Sequence, residues 1–238
     1  MMAEVSTWFA VGTLGMTVGT ALFAWEGLGE GRESKKYYAT LVAISGIAAV
    51  AYGLMALEIG WQSVGDRTVF LPRYVDWLLT TPLLLLYLAM LADAGRSLLG
   101  KIVAADVVVI VAGFAAALMS GVQRFALFAL GGLAFIYLAY LLVGPLTARV
   151  EGREVASLFR SLRNLTVILW AIYPAIWLLG PSGLDILTLL VDAMLVTYLD
   201  LLTKVGFGLI ALNASAVLAE ELGEAADAAP GAEAAMDD

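Results

Sequence analysis

The run from Leu195 to Leu212 reads LVTYLDLLTKVGFGLIAL, and its reading decides the fold. Its length and apolar character are those of a helix crossing a bilayer, yet Asp200 and Lys204 stand inside it. A lysine in the middle of such a helix costs roughly 2.5–3.5 kcal/mol on insertion scales, so it needs a partner or a purpose. Asp200 lies four residues earlier, on the same helix face. No other Lys or Arg follows Arg163. An amine shielded from water beside a carboxylate is suited to forming a protonated Schiff base with an aldehyde.

The rest of the chain fits a membrane setting. Of its 238 residues 62% are hydrophobic and only 14% charged, more apolar surface than a soluble domain of this length buries. Cysteine and histidine are absent, which excludes disulfides and thiolate chemistry and removes the usual metal ligand and proton shuttle. Proton chemistry falls to Asp, Glu, Tyr, Lys and Arg. The net charge of −8 argues against nucleic acid. Much of it sits in Glu220, Glu221, Glu224, Asp227, Glu233, Asp237 and Asp238, among Ala, Gly and Pro. Residues 220–238 are therefore expected to be a disordered acidic tail, and residues 1–219 a single domain.

Seven apolar stretches of spanning length are found: Val5–Trp25, Tyr37–Leu57, Arg73–Leu91, Leu99–Met119, Phe125–Leu142, Ser157–Leu179 and Leu184–Leu212. No Lys or Arg precedes the first, so it is expected to be a span and not a cleaved leader. Between the second and third, Gly65-Asp66 is flanked by Val64 and by Thr68-Val69-Phe70, the pattern of a short β-hairpin. The expected fold is an all-α membrane protein, a seven-transmembrane-helix bundle carrying that hairpin.

Orientation follows from the basic residues. Arg32, Lys35, Lys36, Arg96, Lys101, Arg149, Arg153, Arg160 and Arg163 fall at one end of the spans, against Arg67, Arg73 and Arg124 at the other. This bias puts the N-terminus outside and the acidic tail in the cytoplasm.

Charges within the spans narrow the chemistry. Asp76, Asp200 and Lys204 lie deep, and a structural role for all three together is hard to sustain. Two aspartates and one lysine leave one negative charge in excess, which Arg73 is expected to neutralise. Arg73, Asp76 and Thr80 share a face of the third span, and Thr80 is placed to hydrogen-bond Asp76. Asp106 reads as a protonated, hydrogen-bonded core aspartate, and Asp192 as either wet or functional. On the sixth span Trp170, Tyr173, Pro174 and Trp177 share a face. Such a stripe serves packing, or it clamps a flat conjugated ligand. Gly113, Gly131 and Gly132 remove side chains where such a ligand would pass, although glycines equally serve helix packing.

Three ordered motifs carry a resemblance: RYVDWLLTTP from Arg73 to Pro82, RNLTVILWAIYP from Arg163 to Pro174, and DLLTKVGFG from Asp200 to Gly208. Together with seven spans they resemble the microbial (type 1) rhodopsins of haloarchaea, over nearly the whole chain except the tail. The resemblance implies all-trans retinal bound to Lys204 as a protonated Schiff base. It makes Asp76 the primary counterion and proton acceptor, Asp200 the second counterion, and Arg73 a group outside them. It places Tyr52 and Tyr173 around Asp200, and Trp77, Thr81, Val109, Gly113, Phe135, Trp170 and Trp177 along the polyene. It implies a photoreceptor or ion pump in the cell membrane, not an enzyme.

Within that family, outward proton pumps carry a carboxylate eleven residues after the counterion. Tyr87 stands there in this chain, and a phenol with a pKa near 10 is a poor fast proton donor. Of two outer glutamates that release the proton in pumps, Asp192 matches one and Ser182 stands at the other. Thr203 and Tyr173 match the Thr–Tyr pair through which sensory rhodopsin II couples isomerisation to signalling. Tyr198 matches a residue facing the two helices of its membrane transducer. The pattern looks most like that branch, a phototaxis receptor. The alternatives are an outward proton pump and a pump–sensor intermediate without a transducer. A chloride pump would normally replace the Asp76 carboxylate with a neutral side chain. A homo-oligomer stays open.

Overall fold

The structure, a computed structural model, describes residues 2–29 and 31–214. The expected acidic tail, 220–238, lies outside the described residues. Helix α1 spans Met2–Gly27 and α2 Arg32–Ala56. Strands β1 (Trp61–Val64) and β2 (Arg67–Phe70) lead into α3 (Leu71–Leu91), α4 (Arg96–Leu118) and α5 (Gln123–Leu141). The fifth span continues through a π-turn, Leu142–Leu146, and a 3₁₀ turn, Thr147–Val150. The sixth is built from α6 (Ala156–Trp170) and α7 (Ile172–Leu179). The seventh joins α8 (Leu189–Leu201) to α9 (Phe207–Asn213) through a π-turn, Leu202–Gly206. Seven spans of bilayer length result among the described residues, as expected, and the protein is a multi-pass membrane protein.

The first span shows how a helix buries one stripe and leaves most of the rest apolar. On α1 the inward positions are Val5, Phe9, Gly12, Met16, Gly19 and Phe23, at helical spacing. Leu14 and Val18, between them, are 67% and 59% exposed. A helix that is apolar on its outer face as well as its inner one belongs in lipid.

The hairpin forms with Trp61 opposite Phe70 and Val64 opposite Arg67. Gly65, at φ +60, supplies the left-handed backbone that its two-residue turn requires. The rings of Trp61 and Phe70 meet that of Phe9 at centroid distances of 6.1 and 4.9 Å. This aromatic plug caps the outer end of the bundle.

Span boundaries differ from expectation at two informative places. The third span begins at Leu71, with Pro72 in its first turn, where a missing N–H costs nothing. The seventh begins at Leu189 and not at Leu184, with the Thr188 hydroxyl capping it by accepting from the Val191 amide at 3.3 Å. Residues 184–188 belong instead to the turn after α7. Leu184 and Ile186 lie exposed there, and Asp185 takes a positive φ of 56°. An apolar run read by composition alone does not distinguish such a turn from a helix. Between α6 and α7 the helix breaks at Ala171, because Pro174 has no N–H to give the carbonyl of Trp170.

Candidate functional site

Lys204 lies in the π-turn of the seventh span, and its side chain points into the bundle with 2% exposure. Such single π-turns concentrate at functional positions. Its Nζ donates to Asp76 Oδ2 of α3 at 2.5 Å and stands 3.2 Å from Asp200 Oδ2 of α8. The sequence placed these three charges in two apolar runs, Asp76 in one and Asp200 with Lys204 in the other, and the fold brings them together.

The two carboxylates are unequally supplied with donors. Asp200 accepts from the Tyr52 hydroxyl at 2.8 Å, the Tyr173 hydroxyl at 2.5 Å and the Trp77 indole N–H at 3.2 Å, besides facing Lys204. Among the described residues Lys204 is the hydrogen-bond donor to the Asp76 carboxylate, and Asp76 Oδ1 is buried without one. Thr80 does not supply one. Its hydroxyl donates to the backbone carbonyl of Asp76 at 2.9 Å, the bond a threonine makes one turn back along its own helix.

Arg73 does not neutralise this group. It donates from Nη1 to Asp192 Oδ2 at 2.9 Å, and its guanidinium carbon stands 4.9 Å from the Phe70 ring centroid. The expected closure of charge around Lys204 is therefore corrected: Arg73 is turned outward, where the Asp192 carboxylate is the nearer anion. Asp192 is buried and paired, not wet. Arg73 keeps two further nitrogens, Nε and Nη2, buried without partners.

One elongated cavity starts at Asp200 and Thr203 and continues between α3, α4, α5 and the sixth span. Every residue expected along a polyene lines it: Trp77, Thr81, Val109, Gly113, Phe135, Trp170 and Trp177, with Tyr173 and Thr203. Tyr52 sits behind Asp200, outside the lining. A Cβ added at Gly113 or Gly132 would meet no atom within 4 Å, so both glycines open onto empty space. Phe128 was not anticipated. It lines the cavity and stacks on Trp177, with centroids 4.5 Å apart and planes 12° from parallel. The signal for it was the spacing Phe128, Gly131, Gly132, Phe135, one face of α5.

Asp106 lies beside the cavity and is 1% exposed. The Thr81 hydroxyl stands 2.7 Å from both Asp106 Oδ2 and the Trp77 carbonyl. A hydroxyl has one proton and a carbonyl has none to give. Both bonds are met in full only when Asp106 carries a proton and donates it to Thr81.

Thr203 and Tyr173 approach to 3.5 Å; Tyr173 gives its one proton to the Asp200 carboxylate and Thr203 gives its own to the Asp200 backbone carbonyl at 3.3 Å, so the two hydroxyls meet around Asp200. Tyr198 faces outward, 51% exposed, its ring 5.3 Å from that of Trp8. Tyr87 is buried against Tyr37 and Phe207.

The family model for bacteriorhodopsin-like proteins matches residues 3–218. The chain belongs to the bacteriorhodopsin-like family. Sensory rhodopsin-2 of Natronomonas pharaonis is 54% identical to it, over 94% of each chain. Sensory rhodopsin-2 of Haloarcula vallismortis is 44% identical, over 90% of this chain and 92% of the relative. Among solved structures, the thermophilic rhodopsin from Rubrobacter xylanophilus superposes with a TM-score of 0.87 at 38% identity, over 90% of this chain and 97% of that one. Retinal is the chromophore that membership of the rhodopsin family implies. The aromatic-lined cavity, opened by Gly113 and Gly132 and reaching Asp200, whose carboxylate faces Lys204, suits a flat polyene aldehyde.

Proposed function

We propose that this protein is a retinal photoreceptor for phototaxis of the sensory rhodopsin-2 kind, signalling through a membrane transducer. The observation that carries its chemistry is the unequal treatment of the two carboxylates facing Lys204. Lys204 Nζ would hold retinal covalently, with Trp77, Trp170 and Trp177 against its chain and Gly113 and Phe135 further along. Retinal, when bound, supplies absorption of visible light and an isomerisation that changes the geometry at the lysine nitrogen.

The chain's own residues then decide where the proton goes. Asp200 accepts from two tyrosines and a tryptophan, so its oxygens are already engaged as acceptors. Asp76 has a bare oxygen and one partner. Once Lys204 gives up its proton, Asp76 loses the interaction that held its charge, and it takes the proton. Arg73 and Asp192 lie further out as a neutral pair. Tyr87 offers no carboxylate for rapid return of the proton from the cytoplasmic side. A long-lived deprotonated state is a defect in a pump and an advantage in a receptor.

Signalling would pass from the lysine to Thr203 and Tyr173, adjacent in the chain and across the cavity respectively. Tyr198, exposed toward the lipid, fits a contact with a two-helix transducer. The test is flash photolysis of the retinal-loaded protein, together with co-purification of its membrane partner. Recovery over hundreds of milliseconds to seconds, with a two-helix partner retained and loosened by Tyr198→Ala, is expected. Recovery within about ten milliseconds, strong light-driven acidification of the medium and no partner would establish a pump instead.

A further inference from the structure

The cavity does not end at the chromophore site. From Asp200 it runs past Arg73 and Asp192 and reaches Thr68, Pro181 and Ser182 on the outer side of the bundle. Two arginines stand just outside this end, each bound to carbonyls of the 180–183 turn, without lining the cavity themselves. Arg67, on β2, donates from Nη1 to the Ser182 carbonyl at 3.3 Å and from Nη2 to the Met119 carbonyl at 2.7 Å. Arg124, in the first turn of α5, donates from Nη2 to the Gly183 carbonyl at 2.6 Å.

All three acceptors are neutral. Among the described residues, neither guanidinium has a carboxylate oxygen within 4.0 Å. Arg124 also stands at the positive end of a helix, where a cation is disfavoured. Partial burial, and after it the neighbouring Arg124 charge, lower the pKa of Arg67. Ser182 contributes a hydroxyl and no charge. Two guanidinium charges therefore stand at this end with no carboxylate in ion-pair contact among the described residues.

We propose that Arg67 and Arg124 form a cationic gate beside the outer mouth of the cavity, slowing escape to the medium of the Lys204 proton once Asp76, its acceptor, gives it up. The inference rests on the proposed proton transfer from Lys204. A proton carried outward must pass two fixed positive charges, whose potential raises the barrier for a cation. Both side chains are half-buried, so salt screens part of that barrier.

The test compares the full-length, retinal-loaded protein with R67Q/R124Q and R67K/R124K. After a flash, an external pH dye times the proton's appearance outside while infrared absorption follows the Asp76 carboxyl band. Glutamine keeps a donor for the carbonyls without the charge; lysine keeps the charge without the fork. In R67Q/R124Q the proton should appear on the order of tenfold sooner at low salt, and in R67K/R124K at the original rate. The wild-type rate should rise toward that of R67Q/R124Q at 1 M salt, where screening acts over about 3 Å. Equal dye kinetics in all three proteins at low salt would overturn the gate, as would acceleration by lysine equal to that by glutamine. Loss of the Asp76 band with a normal dye response would instead overturn Asp76 as acceptor and leave the gate to the dye comparison.

Discussion

Arg73 pairs with Asp192 at 2.9 Å, on the outer side of the site, and with neither carboxylate that faces Lys204. The group around the lysine therefore carries one net negative charge when both its aspartates are ionised. The buried arginine is held by a single carboxylate. Removing one member of such a pair leaves an uncompensated charge and costs roughly 3–5 kcal/mol. Asp192→Asn is expected to lower thermal stability accordingly, measured by loss of visible absorbance on heating. It should also shift the absorption maximum, because Arg73 then has only the inner carboxylates to turn toward. An unchanged melting curve and spectrum would contradict the pairing.

Lys204→Ala should give a protein that folds but takes on no colour with all-trans retinal. Asp76→Asn should keep colour and absorb further to the red. Loss of the carboxylate 2.5 Å from Nζ removes stabilisation of the positive charge in the ground state. Absorbance spectra of both variants after adding retinal decide the matter, and a wild-type spectrum from either would remove its assigned role.

The hydrogen count at Thr81 makes Asp106 a neutral acid. Infrared spectra of the dark protein should contain a carboxylic C=O band that disappears in Asp106→Asn and shifts in Thr81→Val. The asparagine keeps a donor for Thr81, so a stability change under about 1 kcal/mol is expected, the value of one neutral hydrogen bond. A dark spectrum identical in wild type and Asp106→Asn would mean that the carboxyl is ionised.

Thr203→Ala should retain colour and a near-normal photocycle yet abolish the phototactic response, measured by cell tracking in light gradients. The hydroxyl stands 3.5 Å from Tyr173 and 3.3 Å from the Asp200 carbonyl, so its removal strands no strong bond. Intact phototaxis in this variant would exclude coupling through the threonine.

The sequence revealed the spans and the inner charges because a carboxylate or a lysine inside an apolar run has no ordinary explanation. Lys204, Asp76 and Asp200 stood out for that reason, and the fold unites them. Arg73 was legible as a buried cation but its partner was not. Asp192 and the inner carboxylates were all in reach, and only the direction of a long, flexible side chain chose between them. Thr80 shows a related limit. Spacing put it beside Asp76, but a helical threonine finds the carbonyl four residues back more readily than a neighbouring carboxyl. Leu184 to Thr188 read as helix because turns facing lipid carry the same side chains as helices do.

The five-residue turn at Leu202–Gly206 has a bearing on how this chain tolerates change. A π-turn holds one residue more than the regular coil, and each residue turns an α-helix by about 100°. The two halves of the last span are thus out of phase by a fixed step, like two gears meshed one tooth apart. Deleting any one residue between Asp200 and Gly208 would make a smoother helix and swing Lys204, or everything beyond it, away from its present facing. An apolar substitution at an outward position such as Leu202 leaves that step intact, whereas a single-residue deletion is a change of address for the chromophore.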